Sequence, residues 1–217
     1  MSAREKQGTV KQIKEFKMTD ILYTYKNQVY MNITNQCDCR CTFCIRTTKK
    51  TVGDATNMWF EKDPTLEEIK DAMDRFDFTG YDELVYCGYG EPTCALENLL
   101  ESAKYAKEKW GIKIRLNTNG LANLYHKRDI IPELVKVVDR VSISLNAPTA
   151  EKYQAVTRPQ FENAFQAMLD FGREANKVFE HTQFSIVDVL PKEEIEACRI
   201  IADDLGVYLK IRVFEAN

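Results

Sequence analysis

Met31-Asn32-Ile33-Thr34-Asn35-Gln36-Cys37-Asp38-Cys39-Arg40-Cys41-Thr42-Phe43-Cys44 is the stretch on which the reading of this chain turns. Val29 to Thr34 reads as a β-strand, so the cysteines lie in a loop leaving its C-terminal end. Cys37, Cys41 and Cys44 are spaced C-x₃-C-x₂-C. Such a set can ligate three irons of a [4Fe–4S] cube and leave the fourth iron open, whereas electron-transfer clusters use four thiolates. An open iron is a coordination site where chemistry can begin. The competing reading is zinc, which takes four ligands and commonly pairs two cysteines with two more or with two histidines. The chain has only His126 and His181, and neither lies near another cysteine in sequence. Cys39, inside the run, is either a fourth ligand or a spare. Cys87, Cys94 and Cys198 are scattered and read as small buried apolar residues.

Strand and helix patterns alternate from this loop onward. Thr65 and Glu68 form a T-x-x-E capping box ahead of a helix whose Leu66, Ile69, Met73 and Phe76 line one face. Glu83 to Cys87 is a second strand, and Leu96 to Gly111 an amphipathic helix with a glycine stop. Ile112 to Leu116, Val141 to Asn146, Phe184 to Val189 and Val207 to Phe214 supply four more strands. Helices are expected over 130–138, 150–156, 164–178 and 195–205. Serial βα units require a parallel sheet with right-handed crossovers. Six strands are too few for the closed eight-stranded barrel. The expected fold is therefore α/β, a partial (β/α)6 TIM-like barrel with mainly parallel strands, whose ligands sit at the C-terminal strand ends.

Gly88-Tyr89-Gly90-Glu91-Pro92 follows directly on the second strand, a glycine turn that presents one carboxylate at the same edge. In the fourth expected strand, Ser142, Ser144 and Asn146 share one face opposite Val141, Ile143 and Leu145, which puts hydroxyl and amide groups toward the lumen. The same parity turns Arg115 and Arg212 inward, where they meet internal carboxylates such as Asp188 or Glu215, or else an anionic substrate.

The chain has 217 residues, 44% hydrophobic and 29% charged, which suits one globular core domain, expected over 18–217. Residues 1–17, with Arg4, Lys6, Lys11, Lys14 and Lys17, read as a basic, poorly ordered arm. A net charge of −3 does not indicate a nucleic-acid-coating surface. No stretch has the length of a membrane span or the apolar core of a secretory signal. Seven cysteines, odd in number and clustered, suit a reduced, cytoplasmic setting better than disulfides.

The cysteine run, including Phe43 before its last cysteine, resembles the signature of the radical S-adenosylmethionine (radical SAM) superfamily. Gly88-Tyr89-Gly90-Glu91-Pro92 resembles that superfamily's GGEP-type motif, with Tyr89 in place of one glycine. The resemblance implies a [4Fe–4S] cluster on Cys37, Cys41 and Cys44, and S-adenosyl-L-methionine bound at its open iron. It implies that Glu91, with Gly88 and Gly90, holds the cofactor's ammonium. Phe43 would pack on the cluster or meet adenine, Ser144, Asn146 and Asn117 would serve the ribose or methionyl end, and Arg158 would pair with the carboxylate. Asn119 is a comparable candidate. The expected activity is reductive cleavage of SAM to a 5′-deoxyadenosyl radical that takes hydrogen from an unidentified substrate, with electrons from a donor such as flavodoxin or ferredoxin. An activase that installs a radical on a partner enzyme is the alternative, and a non-enzymatic zinc or Fe–S module a third. The run Tyr30 to Asn35, Cys41 to Arg46, Ser144 to Pro148, Tyr153 and Arg158-Pro159 further resembles TatD-associated radical SAM proteins, which implies a link to a TatD-like hydrolase.

Overall fold

A computed structural model describes residues 20–49 and 51–213. The basic arm expected over 1–17, together with Phe214 and Glu215, lies outside the described residues. Seven strands form one sheet in chain order: β1 (Leu22–Tyr25), β2 (Gln28–Met31), β3 (Glu83–Tyr86), β4 (Lys113–Thr118), β5 (Arg140–Ser144), β6 (His181–Val187) and β7 (Tyr208–Arg212). From β2 to β7 every pairing is parallel. The helices are α1 (Ile45–Thr48), α2 (Leu66–Arg75), α3 (Leu96–Trp110), α4 (Ala122–His126), α5 (Ile131–Leu134), α6 (Ala150–Thr157), α7 (Ala164–Val178) and α8 (Lys192–Asp204). This is the expected partial barrel with one strand added.

The added strand is β1, which runs antiparallel to β2 with Leu22 opposite Met31. Lys26 and Asn27 join them, both with positive φ (48° and 59°), the backbone that a two-residue hairpin of right-handed twist requires. Asparagine tolerates that conformation and lysine does not advertise it, so the hairpin was silent in the sequence. The helix expected over 130–138 contracts to α5, and α4 appears unannounced after the Asn119-Gly120 turn. The capping box ahead of α2 forms as expected: Glu68 N donates to Thr65 Oγ1 (3.2 Å) and Thr65 N to Glu68 Oε2 (2.8 Å), worth about 1 kcal/mol. Gly111 closes α3 with φ 64°.

Side-chain alternation separates two faces. Leu84, Ile114, Leu116, Val141, Ile143, Phe184 and Ile186 are buried in the main core cluster. Phe184 lies so close under α7 that a Cβ on Gly172 would stand 2.4 Å from its ring. The other face is polar and lines the lumen. Gln183 Nε2 donates to Ser142 Oγ across the β5–β6 pair (3.0 Å), and Tyr23 stacks on Tyr30 at 5.3 Å. Arg115 does meet an internal carboxylate, but its partner is Glu83 (3.3 Å), with Gln28 accepting at 2.9 Å, rather than Asp188. Among the described residues, β1 and β7 remain the free edges of the sheet, so the lumen is open on one side. No described helix is long and apolar enough to cross a membrane.

Candidate functional site at the C-terminal rim

The cysteine loop is held from three sides. Behind it, Asp63 gathers the turn that feeds Cys37, accepting from Thr34 Oγ1 (2.5 Å), Asn35 N (2.9 Å) and Gln36 Nε2 (2.9 Å). On one flank the loop satisfies carbonyls that the last turn of α6 leaves without helical partners. Arg40 N donates to Thr157 O and Thr42 N to Val156 O, each at 2.9 Å. Gln160 N returns a bond to Asp38 O (2.9 Å), and Cys39 bridges to Pro159. Arg158 takes φ 46° as the residue that ends α6, so Arg158-Pro159 turns the chain against the cysteine loop.

On the third side stands the glycine turn. Glu91 N donates to Gln36 O at 2.7 Å. A Cβ on Gly90 would lie 2.3 Å from Thr34 O and 2.6 Å from Gln36 O, and one on Gly88 would lie 2.1 Å from Asn32 Oδ1. These glycines therefore let two segments of this chain approach each other. Asn32 fastens the same junction, accepting from Tyr89 N (3.1 Å) and donating to Met58 O (2.9 Å).

Cys37, Cys41 and Cys44 are half-buried along this loop, while Cys39 is 3% exposed. The Cys39 backbone N donates to Cys37 Sγ at 3.5 Å and its sulfur accepts from Asn119 Nδ2 at 3.6 Å, and the neighbouring thiols of Cys37 and Cys41, with burial, push its pKa up. The nearby Cys39 thiol holds Cys41 below the usual thiol range. Cys198 is buried on α8 as expected, but Cys87 and Cys94 are only partly so. Among the described residues no three His, Cys, Asp or Glu side chains converge on a single-ion site. A lone zinc needs such convergence; thiolates on separate corners of a cube do not.

Glu91 is 5% exposed and fully engaged. Its Oε1 accepts from Thr118 Oγ1 (2.7 Å), Thr93 Oγ1 (2.8 Å) and Thr93 N (3.2 Å), and its Oε2 from Asn119 N (2.8 Å). Asn119 also donates its side-chain amide to Asp38, so one residue bridges two buried carboxylates. Burial, with Asp38 adding, pushes Glu91 up to about 7 from 4.5. A native pKa above the unfolded one means that stability is greatest while Glu91 is protonated and falls as pH rises from 4.5 toward 7. Ionisation then costs about 3 kcal/mol. Without added SAM, the urea-unfolding stability of wild type relative to Glu91→Gln should fall by that order between those pH values; a constant gap would show that the ionised carboxylate is already compensated.

The remaining sequence candidates fall around the same rim. Asn146 has φ 61° and is 8% exposed, yet its Oδ1 has no hydrogen-bond partner among the described residues. An unsatisfied buried acceptor costs about 1–3 kcal/mol, and left-handed backbone in a non-glycine residue adds to it. Such a position is suited to a ligand donor. Ser144 on β5 and Asn117 on β4 are both half-buried. Phe43 is 40% exposed, and Arg158 is exposed with no ion pair among the described residues. The sequence did not single out Asp63, Asp38, Thr93 or Thr118. Asp63 in particular carries no local pattern and acquires its role only by folding against 34–36.

A parallel half barrel with a cysteine loop and a glycine–carboxylate turn joined at its C-terminal rim defines the class, a partial TIM barrel with a thiol-rich site at its strand ends. The chain belongs to the radical SAM superfamily, whose sequence profile matches residues 31–205. It is 29% identical over 158 residues to a Methanocaldococcus jannaschii protein provisionally named a glycyl-radical enzyme activating enzyme, covering 70% of this chain and 61% of that one. The chain thus spans less than two thirds of that relative's length. In fold it is similar to HydG, a maturase of the [FeFe]-hydrogenase (TM-score 0.61, 16% identity, 86% of this chain and 42% of that one). It is also similar to TYW1 with a lysine-pyruvate adduct bound (TM-score 0.59, 14% identity, 88% and 65%). Membership implies a [4Fe–4S] cluster and SAM, and the donor set of this rim suits both: soft thiols in one loop, buried carboxylates for a cation, and the orphaned Asn146 oxygen.

Proposed function

We propose that Cys37, Cys41 and Cys44 hold the cluster, and that SAM bound there is reductively cleaved to a 5′-deoxyadenosyl radical that takes a hydrogen atom from the substrate. The observation that carries this reading is the junction at the rim, where Glu91 N reaches Gln36 O beside Cys37. Glu91, Gly88 and Gly90 shape the turn that receives the ammonium, and the carboxylates of Glu91 and Asp38 favour a cation there. Asn146, Ser144 and Asn117 offer neutral polar groups to the rest of the cofactor, Phe43 an apolar face, and Arg158 a partner for its carboxylate.

Reconstituted, dithionite-reduced protein should release 5′-deoxyadenosine and methionine from SAM slowly even without substrate, read by chromatography. A preparation holding about four irons per chain that releases neither would remove the reading. Reduced flavodoxin or ferredoxin should replace dithionite in the same assay.

A second reading is an activase acting on a partner protein. The lumen is open between β1 and β7, which suits entry of a polypeptide segment from the side, and the Methanocaldococcus relative carries that name. In the same reduced mixtures, a persistent radical signal on a co-expressed partner would favour it, and free 5′-deoxyadenosine without any protein radical would count against it. The narrower sequence likeness supports a working link to a TatD-like hydrolase, which failure of the two proteins to co-purify would weaken.

A further inference from the structure

We propose that the exposed surface of the cysteine loop, formed by Ile45 and Trp59 with Arg40, Arg46 and Lys49, is the docking site of an acidic, low-potential one-electron carrier protein; this rests on the radical SAM reading above and adds the partner that supplies its electron. The charge pattern is local and runs against the rest of the chain. From Cys39 to Gly53 the sequence holds Arg40, Arg46, Lys49 and Lys50 and no carboxylate, in a chain whose net charge is −3. The two acids that follow nearby are engaged, Asp54 with Thr24 and Asp63 with the 34–36 turn.

The patch is built rather than scattered. Ile45 is 38% exposed and Trp59 46%, both large apolar side chains in contact with water. Arg46, next to Ile45 on α1, sets its guanidinium 5.9 Å from the centre of the Trp59 ring. Trp59 in turn packs edge-on against buried Tyr89 (5.4 Å), whose hydroxyl donates to Lys49 O (2.7 Å). Lys49 N donates to Ile45 O (2.8 Å), which closes the circle of contacts. Arg46 also donates to Asn35 O (3.2 Å) and so ties the patch to the turn that feeds Cys37.

Cys41 and Cys44 alternate with Arg40, Ile45 and Arg46 along the loop, so a partner seated on these side chains stands beside the proposed cluster ligands. Electron transfer slows steeply with separation, and a one-electron donor gains most from that position, whereas a substrate has to reach the lumen. One electron leaves the reduced carrier and one enters the cluster, so the exchange balances without a proton. Electron-transfer encounters are small and weak, burying less than about 1,200 Å² in total. A compact apolar centre among cations suits such an encounter, because opposite charge steers association and speeds it.

The test uses the reconstituted protein with an acidic flavodoxin as probe, binding being read by calorimetry and electron transfer from the visible absorption of the cluster. Flavodoxin should bind wild type in the micromolar range, and more weakly as salt cuts the Debye length from about 10 Å at 0.1 M to about 3 Å at 1 M. Arg40→Glu and Lys49→Glu should each weaken binding about tenfold and slow cluster reduction by flavodoxin in step. Ile45→Ser should weaken binding severalfold and leave its salt dependence unchanged. In all three, iron content and dithionite-driven SAM cleavage, which needs no docking, should stay at wild-type levels. Lys192→Glu, on the exposed face of α8, makes the same change in net charge and should bind as wild type does. No binding to wild type, undiminished binding in Arg40→Glu and Lys49→Glu, or an equal loss in Lys192→Glu would overturn the docking site. So would loss of dithionite-driven cleavage in the loop variants, which would make these side chains supports of the loop, or preferential capture of single-stranded RNA, which would give the patch to nucleic acid. Failure of the radical reading would appear separately, as a wild type whose cluster takes the flavodoxin electron yet releases no 5′-deoxyadenosine.

Discussion

Replacing Cys37, Cys41 or Cys44 with alanine is expected to abolish the reconstituted cluster, while Cys39→Ala retains nearly all of its iron. The three residues share a loop whose backbone is pinned at Gln36, Asp38, Arg40 and Thr42, so no neighbouring thiol can slide into a lost ligand's place without breaking those bonds. Each removal takes away one of only three thiolates, and a cluster already short of a protein ligand has no reserve. Cys39 differs in kind. It is buried, bridged to Pro159 and tied to Cys37 Sγ by its own backbone N, a bond alanine keeps, so its alanine variant loses only a small packed group and a weak acceptor for Asn119. Iron and sulfide content after anaerobic reconstitution, with the visible absorption of the cluster, checks both halves. An equal loss of iron in Cys39→Ala would make it a ligand and undo the three-cysteine assignment.

Gly90→Ala should also lose the cluster, although Gly90 ligates nothing. The added methyl would stand 2.3 Å from Thr34 O and 2.6 Å from Gln36 O, and both obstacles are backbone that Asp63 already holds in place. Relief requires moving the turn that delivers Cys37 or breaking the Glu91 N bond to Gln36 O. Overpacking of this kind typically costs about 1–3 kcal/mol, and more where the neighbour cannot yield. The expected result is a folded protein, by circular dichroism, with iron loading reduced about tenfold or more. Gly80→Ala is the control, since nothing lies within 4 Å of a Cβ there and any change reflects only its positive φ of 85°. Normal iron in Gly90→Ala would mean that the junction tolerates displacement and that the cysteine loop is positioned mainly by α6.

Charge patterns were legible only in part. Parity along β4 and β7 put Arg115 and Arg212 on one face, because a strand's period of two is a local property, but only Arg115 is largely enclosed, whereas Arg212 on the edge strand is exposed. Their partners were not local. Glu83 neutralises Arg115 because the parallel register sets Glu83 opposite Lys113 and thus two residues from Arg115 on the same face, an offset that sequence spacing does not encode. Asp188, expected as a partner for these arginines, lies beside Arg212, its backbone N donating to Arg212 O at 3.0 Å. The β1 hairpin was missed for a related reason, since Lys26 gives no sign of the positive φ it adopts.

By itself the sequence determined the succession of parallel βα units, the C-x₃-C-x₂-C loop and the position of Gly88-Tyr89-Gly90-Glu91-Pro92 after a strand. Each of these is written in spacing, periodicity or capping within a few residues. Only the tertiary structure decided that Asp63 clamps 34–36, that the loop borrows the open carbonyls of α6, and that Asn119 joins Asp38 to Glu91. Those partners lie 27 to more than 100 residues apart in the chain, and a hydrogen bond between them exists only once the sheet has curled and brought its strand ends to one rim.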